Sequence, residues 1–258
     1  MTSQVRGVSA KIVAREKQIL AGLYLSKFNS LALKNLGFNS FVEAFNVIGY
    51  TLGSRAASIK NYRDEFDPLS NTRKGWHKRP IRSYCREIYD KYAELSLEEF
   101  TEIVRSFLAP ASDRFDENTG SEVQNDGASI FAQRLITGIA AEHYFESIHT
   151  SIPEFQGYSA ENTTQFGCGY DFRLRRNTNQ DNFLAVEVKG LRELTGSVSM
   201  TPKEHNIASV LGDRYYLFVV RNFREIPSHS IFQNPLSSGL GFRKLERILV
   251  QISWTTNV

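Results

Sequence analysis

Apolar side chains recur at helical spacing through the first hundred residues of this chain, and strand-like alternation appears only near residue 170. Ala21, Leu23, Leu25, Phe28, Leu31, Leu33 and Leu36 form a dense apolar run. Leu97, Phe100, Ile103, Val104 and Phe107 form a stripe of one helix, and Ser96 with Glu99 predicts a capping box at its start. After Ala109-Pro110-Ala111-Ser112 comes a polar stretch over 113–127, which reads as a linker. A long helix follows from Ala128 to His149, with Leu135, Ile139 and Glu142 on one stripe. Thr201-Pro202-Lys203-Glu204 opens another helix with an N-cap threonine, a first-turn proline and a closing glutamate. Ile207, Val210 and Leu211 are its expected buried positions, and Gly212 its stop.

Between those helices, Tyr170-Asp171-Phe172 and Leu184 to Gly190 read as the arms of a β-hairpin around the polar run 177–182. Alternation puts Phe183, Ala185, Glu187 and Lys189 on one face of the second arm, and Leu184, Val186 and Val188 on the other. In the first arm, Tyr170, Phe172 and Leu174 are expected to share a face, with Asp171 opposed to them. A turn centred on Asn179 sets Asp171 across from Glu187. A further strand is expected through Val198 to Met200, and Tyr215 to Val220 is apolar on both faces, as in a central strand. The pattern therefore predicts a mainly α-helical N-terminal domain over 1–108, a linker over 109–127, and an α/β domain over 128–258. The latter is expected to be a mixed central sheet with flanking helices.

Composition is that of a globular protein, with 41% hydrophobic and 23% charged residues. No apolar run reaches the length that spans a bilayer, and Met1 to Ala10 lacks a signal-peptide core. Cys85 and Cys168 are too few for a disulfide framework or a zinc site, so a cytoplasmic protein inside a bacterial or archaeal cell is expected. The net charge of +3 is unevenly spread: residues 1–108 hold 17 basic and 11 acidic side chains, and 55–86 hold nine against three. Such a patch points to a polyanionic partner.

The segment Ile48 to Arg63 has helix-turn-helix spacing. Gly49 is small where two helices must approach, Gly53 suits a left-handed turn, Ser54 is the expected cap, and Ile59 is the buried anchor. Arg55, Ser58, Lys60, Asn61 and Arg63 are then expected to face outward, with Asn61 and the arginines toward base edges and Lys60 toward phosphate. The basic loop that follows adds Arg73, Lys74, Trp76, Lys78 and Arg79 as candidate DNA contacts.

Chemistry is concentrated in the hairpin. Two like charges held side by side are unfavourable without a cation, and a divalent metal with a nearby amine supplies one. Asp171 with Glu187-Val188-Lys189 resembles the PD-(D/E)xK nuclease superfamily, with Tyr170 where many members carry proline. The sequence from Val198 to Glu204 and from Gly212 to Tyr216 further resembles the nuclease-like domain at the C-terminus of No Vein-type proteins, over roughly 128–225. That resemblance implies a restriction-endonuclease-like fold and Mg²⁺ held by Asp171 and Glu187. It gives catalytic roles to Asp171, Glu187 and Lys189, and to Glu142 as a helix-borne carboxylate. Glu204 reads as a capping residue. The function so implied is a sequence-specific endonuclease on double-stranded DNA, of type II restriction kind, acting as a homodimer on a palindromic target. A modification-dependent defence or repair nuclease is the alternative within the same chemistry. A DNA-binding regulator with an inactive nuclease-like domain is the alternative from another class.

Overall fold

The computed structural model describes residues 12–69, 80–109, 125–176, 182–246 and 256, with the backbone alone over 125–132. Five helices form the first part: α1 (Ala14–Leu36), α2 (Phe41–Thr51), α3 (Ala56–Phe66), α4 (Ser83–Tyr92) and α5 (Leu97–Leu108). The Ser96–Glu99 capping box is present, and Phe100, Val104 and Phe107 are the buried positions of the predicted stripe. Helix α3 lies directly on α1, where a Cβ on Gly22 would stand 2.5 Å from Tyr62 Cβ.

The second part runs α6 (Asn125–Ile148), β1 (Ser159–Asn162), β2 (Phe172–Arg175), β3 (Phe183–Gly190), α7 (Pro202–Leu211), β4 (Tyr215–Arg221) and β5 (Ser228–Gln233). The strands form one five-stranded sheet in sequence order, antiparallel except for the parallel β3–β4 pair that α7 connects. This is the mixed α/β sheet that the alternation of helical and strand patterns predicts. Phe172, Leu174, Val186, Val188, Tyr216, Phe218 and Val220 point to one face and join the core beneath α6. There the Phe145 ring packs tilted against Phe172 and edge-on to Phe218, at centroid distances of 4.8 and 5.0 Å. Ala185 and Tyr215 point to the other face and pack with Ala208 of α7.

Four expectations are corrected. The segment Val198–Met200 forms no strand: half-buried Val198 and Met200 alternate with exposed Ser199 in the connection from β3 to α7, without joining the ladder. The buried stripe of α6 is Ile136, Ala140, Ala141, Tyr144 and Phe145, and the 135/139/142 line runs along its half-buried flank. Val210 is 72% exposed, because Ala208 is the position of α7 that turns to the sheet. Tyr170 leaves the face of Phe172 and Leu174 and packs with Ala185 and Tyr215. Regular pairing stops at Phe172–Val186, and the Asp171 amide donates to Val186 O, one residue out of step, so the alternation resets there.

Of the linker expected over 109–127, residues 110–124 lie outside the described residues, and 125–127 are corrected: they already belong to α6. On either side of it the helices and the sheet share one continuous hydrophobic core. Helix α2 packs on α6, with Thr51 Oγ1 donating to Ile136 O at 3.2 Å and Tyr50 edge-on to Tyr144. Asn46 donates from one amide nitrogen to Phe223 O and Glu225 O, both at 2.8 Å. Glu43, fully buried, pairs with Arg192, whose other arm donates to Gln133 Oε1. Arg192 lies three residues beyond Lys189, so the helical part is tied to the C-terminal end of β3.

The expected turn geometry between α2 and α3 is present. Gly53 has φ +63°, Ile59 is fully buried, and a Cβ on Gly49 would come within 2.9 Å of the Ala56 amide nitrogen. Gly49→Ala is expected to lower stability by about 1–3 kcal/mol by forcing the two helices apart, read as a lowered midpoint of thermal unfolding. An unchanged midpoint would contradict this close packing.

Candidate active site

Four ionisable side chains meet on the α7 face of the sheet. Glu187 stands in the middle of β3, between β2 and β4, with 4% of its surface exposed. Alternation along β3 places Lys189 two residues on, and its Nζ donates to Glu187 Oε1 at 2.5 Å. The same ammonium donates to Glu204 Oε2 at 3.0 Å, so it lies between two carboxylates. Glu204 is the closing residue of the α7 capping box, and its Oε2 also accepts the Thr201 amide at 2.9 Å.

Asp171 joins this group from the end of β2. In a regular ladder the Val188 amide would bond a main-chain carbonyl of the neighbouring strand. Here it donates to Asp171 Oδ2 at 2.8 Å. The Asp171 carbonyl accepts both the amide and the hydroxyl of Thr163, at 2.7 and 3.2 Å. Gly169 at φ +83° lets the incoming chain pass under α7, where a Cβ would crowd Ile207 Cγ1 at 3.0 Å. Its carbonyl accepts the Tyr215 hydroxyl at 3.0 Å. Each link puts Asp171 beside Glu187, which is the cross-strand neighbour that the turn length predicts.

The electrostatics follow from this burial. Desolvation pushes the Glu187 carboxyl well above its ordinary range, the Asp171 charge adds to the shift, and Lys189 opposes it. Burial works against the Lys189 ammonium, but the carboxylates of Glu187 and Glu204 outweigh it and leave its pKa above the usual lysine value. Tyr215 is pushed upward by burial and then by the same carboxylates, so its hydroxyl serves as a neutral donor to Gly169. Three carboxylates thus face one ammonium.

That imbalance fits a hard divalent cation, since the acidic donors are all oxygen and the three carboxylates together carry more charge than Lys189 balances. Among the described residues no group of three or more His, Cys, Asp or Glu side chains forms a metal cage. An ion here would be held by the Asp171–Glu187 pair and complete its shell with water, as Mg²⁺ does.

Of the four residues expected to be catalytic, Asp171, Glu187 and Lys189 come together. Glu142 is half-buried on α6, whose Phe145 side packs on the opposite face of the sheet. The charges acting most strongly on Glu187 are those of Asp171, Lys189 and Glu204, and Glu142 is not among them. Glu204 is the residue that the sequence undervalues. Its capping signal is correct, but only the return of α7 across β3 reveals that the same carboxylate also takes Lys189.

On the helical part, Arg55, Lys60 and Asn61 are exposed and Ser58 is half-buried. Arg63 is a correction: it is 7% exposed, its guanidinium stacks over Phe41 at 3.5 Å from the ring centroid, and it donates to Asn29 Oδ1. It lies four residues from Ile59 and therefore on the buried side of α3. Ser54 is also corrected. Arg55 is the N-cap of α3, and Ser54 instead bonds back to Gly49 O through both its amide and its hydroxyl. Arg73, Lys74, Trp76, Lys78 and Arg79 lie outside the described residues. The three acidic residues of the basic segment, Asp64, Glu65 and Asp67, are all buried, so the surface there is more basic than the residue count.

Because Glu187 binds a proton more tightly in the folded chain than in the unfolded one, stability falls as pH rises from the ordinary carboxylate range through its raised folded value. Glu187→Gln is expected to flatten that slope and to raise the thermal midpoint at neutral pH by a few degrees. A lower midpoint for the variant would show that the Lys189 pairing outweighs the burial penalty.

Comparison with known protein families finds a match over residues 141–232 to the family described as Protein NO VEIN, C-terminal. The matched range holds Asp171, Glu187, Lys189 and Glu204, and supports a No Vein-type C-terminal domain there. Comparisons with curated proteins and with solved structures give no match. Among the described residues no helix is long and apolar enough to cross a membrane.

Proposed function

We propose that this chain is a Mg²⁺-dependent endonuclease of the PD-(D/E)xK superfamily that cuts double-stranded DNA at specific sequences, in the manner of a type II restriction enzyme. The observation that carries the reading is the placement of Asp171 beside the buried Glu187, with the Lys189 ammonium 2.5 Å from that carboxylate. A mixed sheet covered by α6 on one face and α7 on the other supports a restriction-endonuclease-like core. The match to a No Vein-type domain over the same residues is in keeping with it.

In this reading Asp171 and Glu187 hold the ion. A bound Mg²⁺ supplies Lewis-acid polarisation of the phosphate and lowers the pKa of a coordinated water. Lys189 orients the attacking water or stabilises charge developing on the phosphorus oxygens. Exposed Arg55, Lys60 and Asn61 of the α2–α3 unit, with the basic side chains of 73–79, provide the DNA-reading surface. Cutting both strands calls for two sites, hence a homodimer on a two-fold target. Free cysteines at 85 and 168 accord with a cytoplasmic setting.

The test is incubation of the full chain with methylated and unmethylated plasmid DNA, with and without Mg²⁺. Discrete fragments from unmethylated DNA are expected, and fragments from methylated DNA alone would select the modification-dependent alternative. Asp171→Ala and Glu187→Ala are each expected to abolish cleavage while binding, measured by gel shift, stays close to wild type. Undiminished cleavage by both variants would remove the site assignment.

One feature favours a second reading, a DNA-binding regulator with an inactive nuclease-like domain. Lys189 pairs with both Glu187 and Glu204, which closes these side chains into a salt-bridge cluster. A gel shift without cutting at any Mg²⁺ concentration would select it.

For the recognition surface, Lys60→Ala is expected to weaken binding to all sequences alike, whereas Asn61→Ala is expected to cost about 1–3 kcal/mol on the preferred site only. Equal losses on specific and random DNA for the Asn61 variant would overturn the assignment of α3 as the reading helix.

A further inference from the structure

Glu204 holds its position independently of Lys189. Thr201 Oγ1 accepts the Glu204 amide at 3.2 Å, Glu204 Oε2 accepts the Thr201 amide at 2.9 Å, and Pro202 sets the first turn of α7. The helix is seated on the sheet through Ala208, packed with Ala185 and Tyr215. The carboxylate is therefore aimed at β3 by the fold of the helix start, and Lys189 Nζ meets it at 3.0 Å. Glu187 has the opposite character: it is buried, it is the stronger partner of Lys189, and it is the carboxylate that an ion would need.

An ammonium and a divalent ion compete for Glu187, because two cations on one carboxylate repel each other. Without a second anion, the incoming ion would drive Lys189 away from the reacting phosphate, or Lys189 would keep the ion out. We infer that Glu204 is a positioning residue: it receives the Lys189 ammonium when a divalent ion takes Glu187, so that the carboxylate changes partner while the amine stays at the site. This inference rests on the metal-dependent reading given above. It assigns Glu204 a role beyond helix capping, and it makes α7 a working part of the site.

The experiment is calorimetric titration of the full chain with Mn²⁺, without DNA, for the wild type, Glu204→Gln, Lys189→Met and the double variant. Glutamine serves the same capping box, so Glu204→Gln is expected to keep the wild-type thermal midpoint within about 2 °C. It is expected to bind the ion roughly 3–10-fold more weakly, because Lys189 then has only Glu187 to hold. In the Lys189→Met background, where nothing competes with the ion, the same substitution is expected to change affinity by no more than about 2-fold. Equal losses in the two backgrounds would overturn the inference and leave Glu204 as simple through-space charge, with the metal site standing. Absence of ion binding by the wild type would overturn the metal-dependent reading and this inference with it. Thr201→Ala removes the Oγ1 bond but keeps the Thr201 amide bond to Glu204 Oε2 that aims the carboxylate, so it is expected to leave affinity near wild type. A loss as large as that of Glu204→Gln would assign the effect to the helix start and overturn the exchange.

Discussion

A carboxylate buried in the middle of a sheet governs the second half of this molecule. Glu187 is almost entirely removed from solvent, beside Asp171, and burial raises its pKa. A buried charge persists only where a counter-charge meets it, and here Lys189 does so from two residues along the same strand. The arrangement concentrates negative charge that one ammonium does not balance. Groups placed at an electrostatic disadvantage of this kind are characteristic of sites that bind or react, and they oppose stability where they stand.

Everything around that carboxylate serves to fix it. The other face of β3 is pressed on α6, where Gly190 permits an approach that a Cβ would block at 2.8 Å from the Thr137 carbonyl. Asp171 replaces a main-chain acceptor for the Val188 amide, so its carboxylate is oriented by the sheet itself. Helix α7 closes the remaining side and brings Glu204. A site assembled on strand interiors and a capped helix start keeps its geometry better than one assembled on loops.

The helical part is joined to this site through few but well-buried polar links. Glu43 and Asn46 of α2 reach the segments that follow β3 and β4, and Gln133 of α6 bonds both Arg192 and the Gly37 carbonyl. Breaking one partner of such a pair strands the other in low dielectric, so α2 is held firmly against the sheet. What α2 and α3 leave to solvent is a surface carrying Arg55, Lys60 and Asn61, while the acids nearby are turned inward. Sequestering Asp64, Glu65 and Asp67 against the core leaves a positive face without requiring many basic residues.

Local chemistry was legible in the sequence wherever it depends on neighbours along the chain. Both capping boxes, the left-handed Gly53, the buried Ile59, the apolar β4 and the turn length that sets Asp171 beside Glu187 follow from spacing alone, because those bonds close within a few residues or across one hairpin. Tertiary structure decided the rest. Arg63 looked outward until Phe41 and Asn29 supplied a buried place for it, and Val198 to Met200 alternated like a strand but joined no ladder. Tyr170 changed faces where the ladder slipped by one residue, and Glu204 acquired Lys189 only because α7 folds back over β3. Periodicity reports which side of an element is buried, but the partner that buries it comes from elsewhere in the chain.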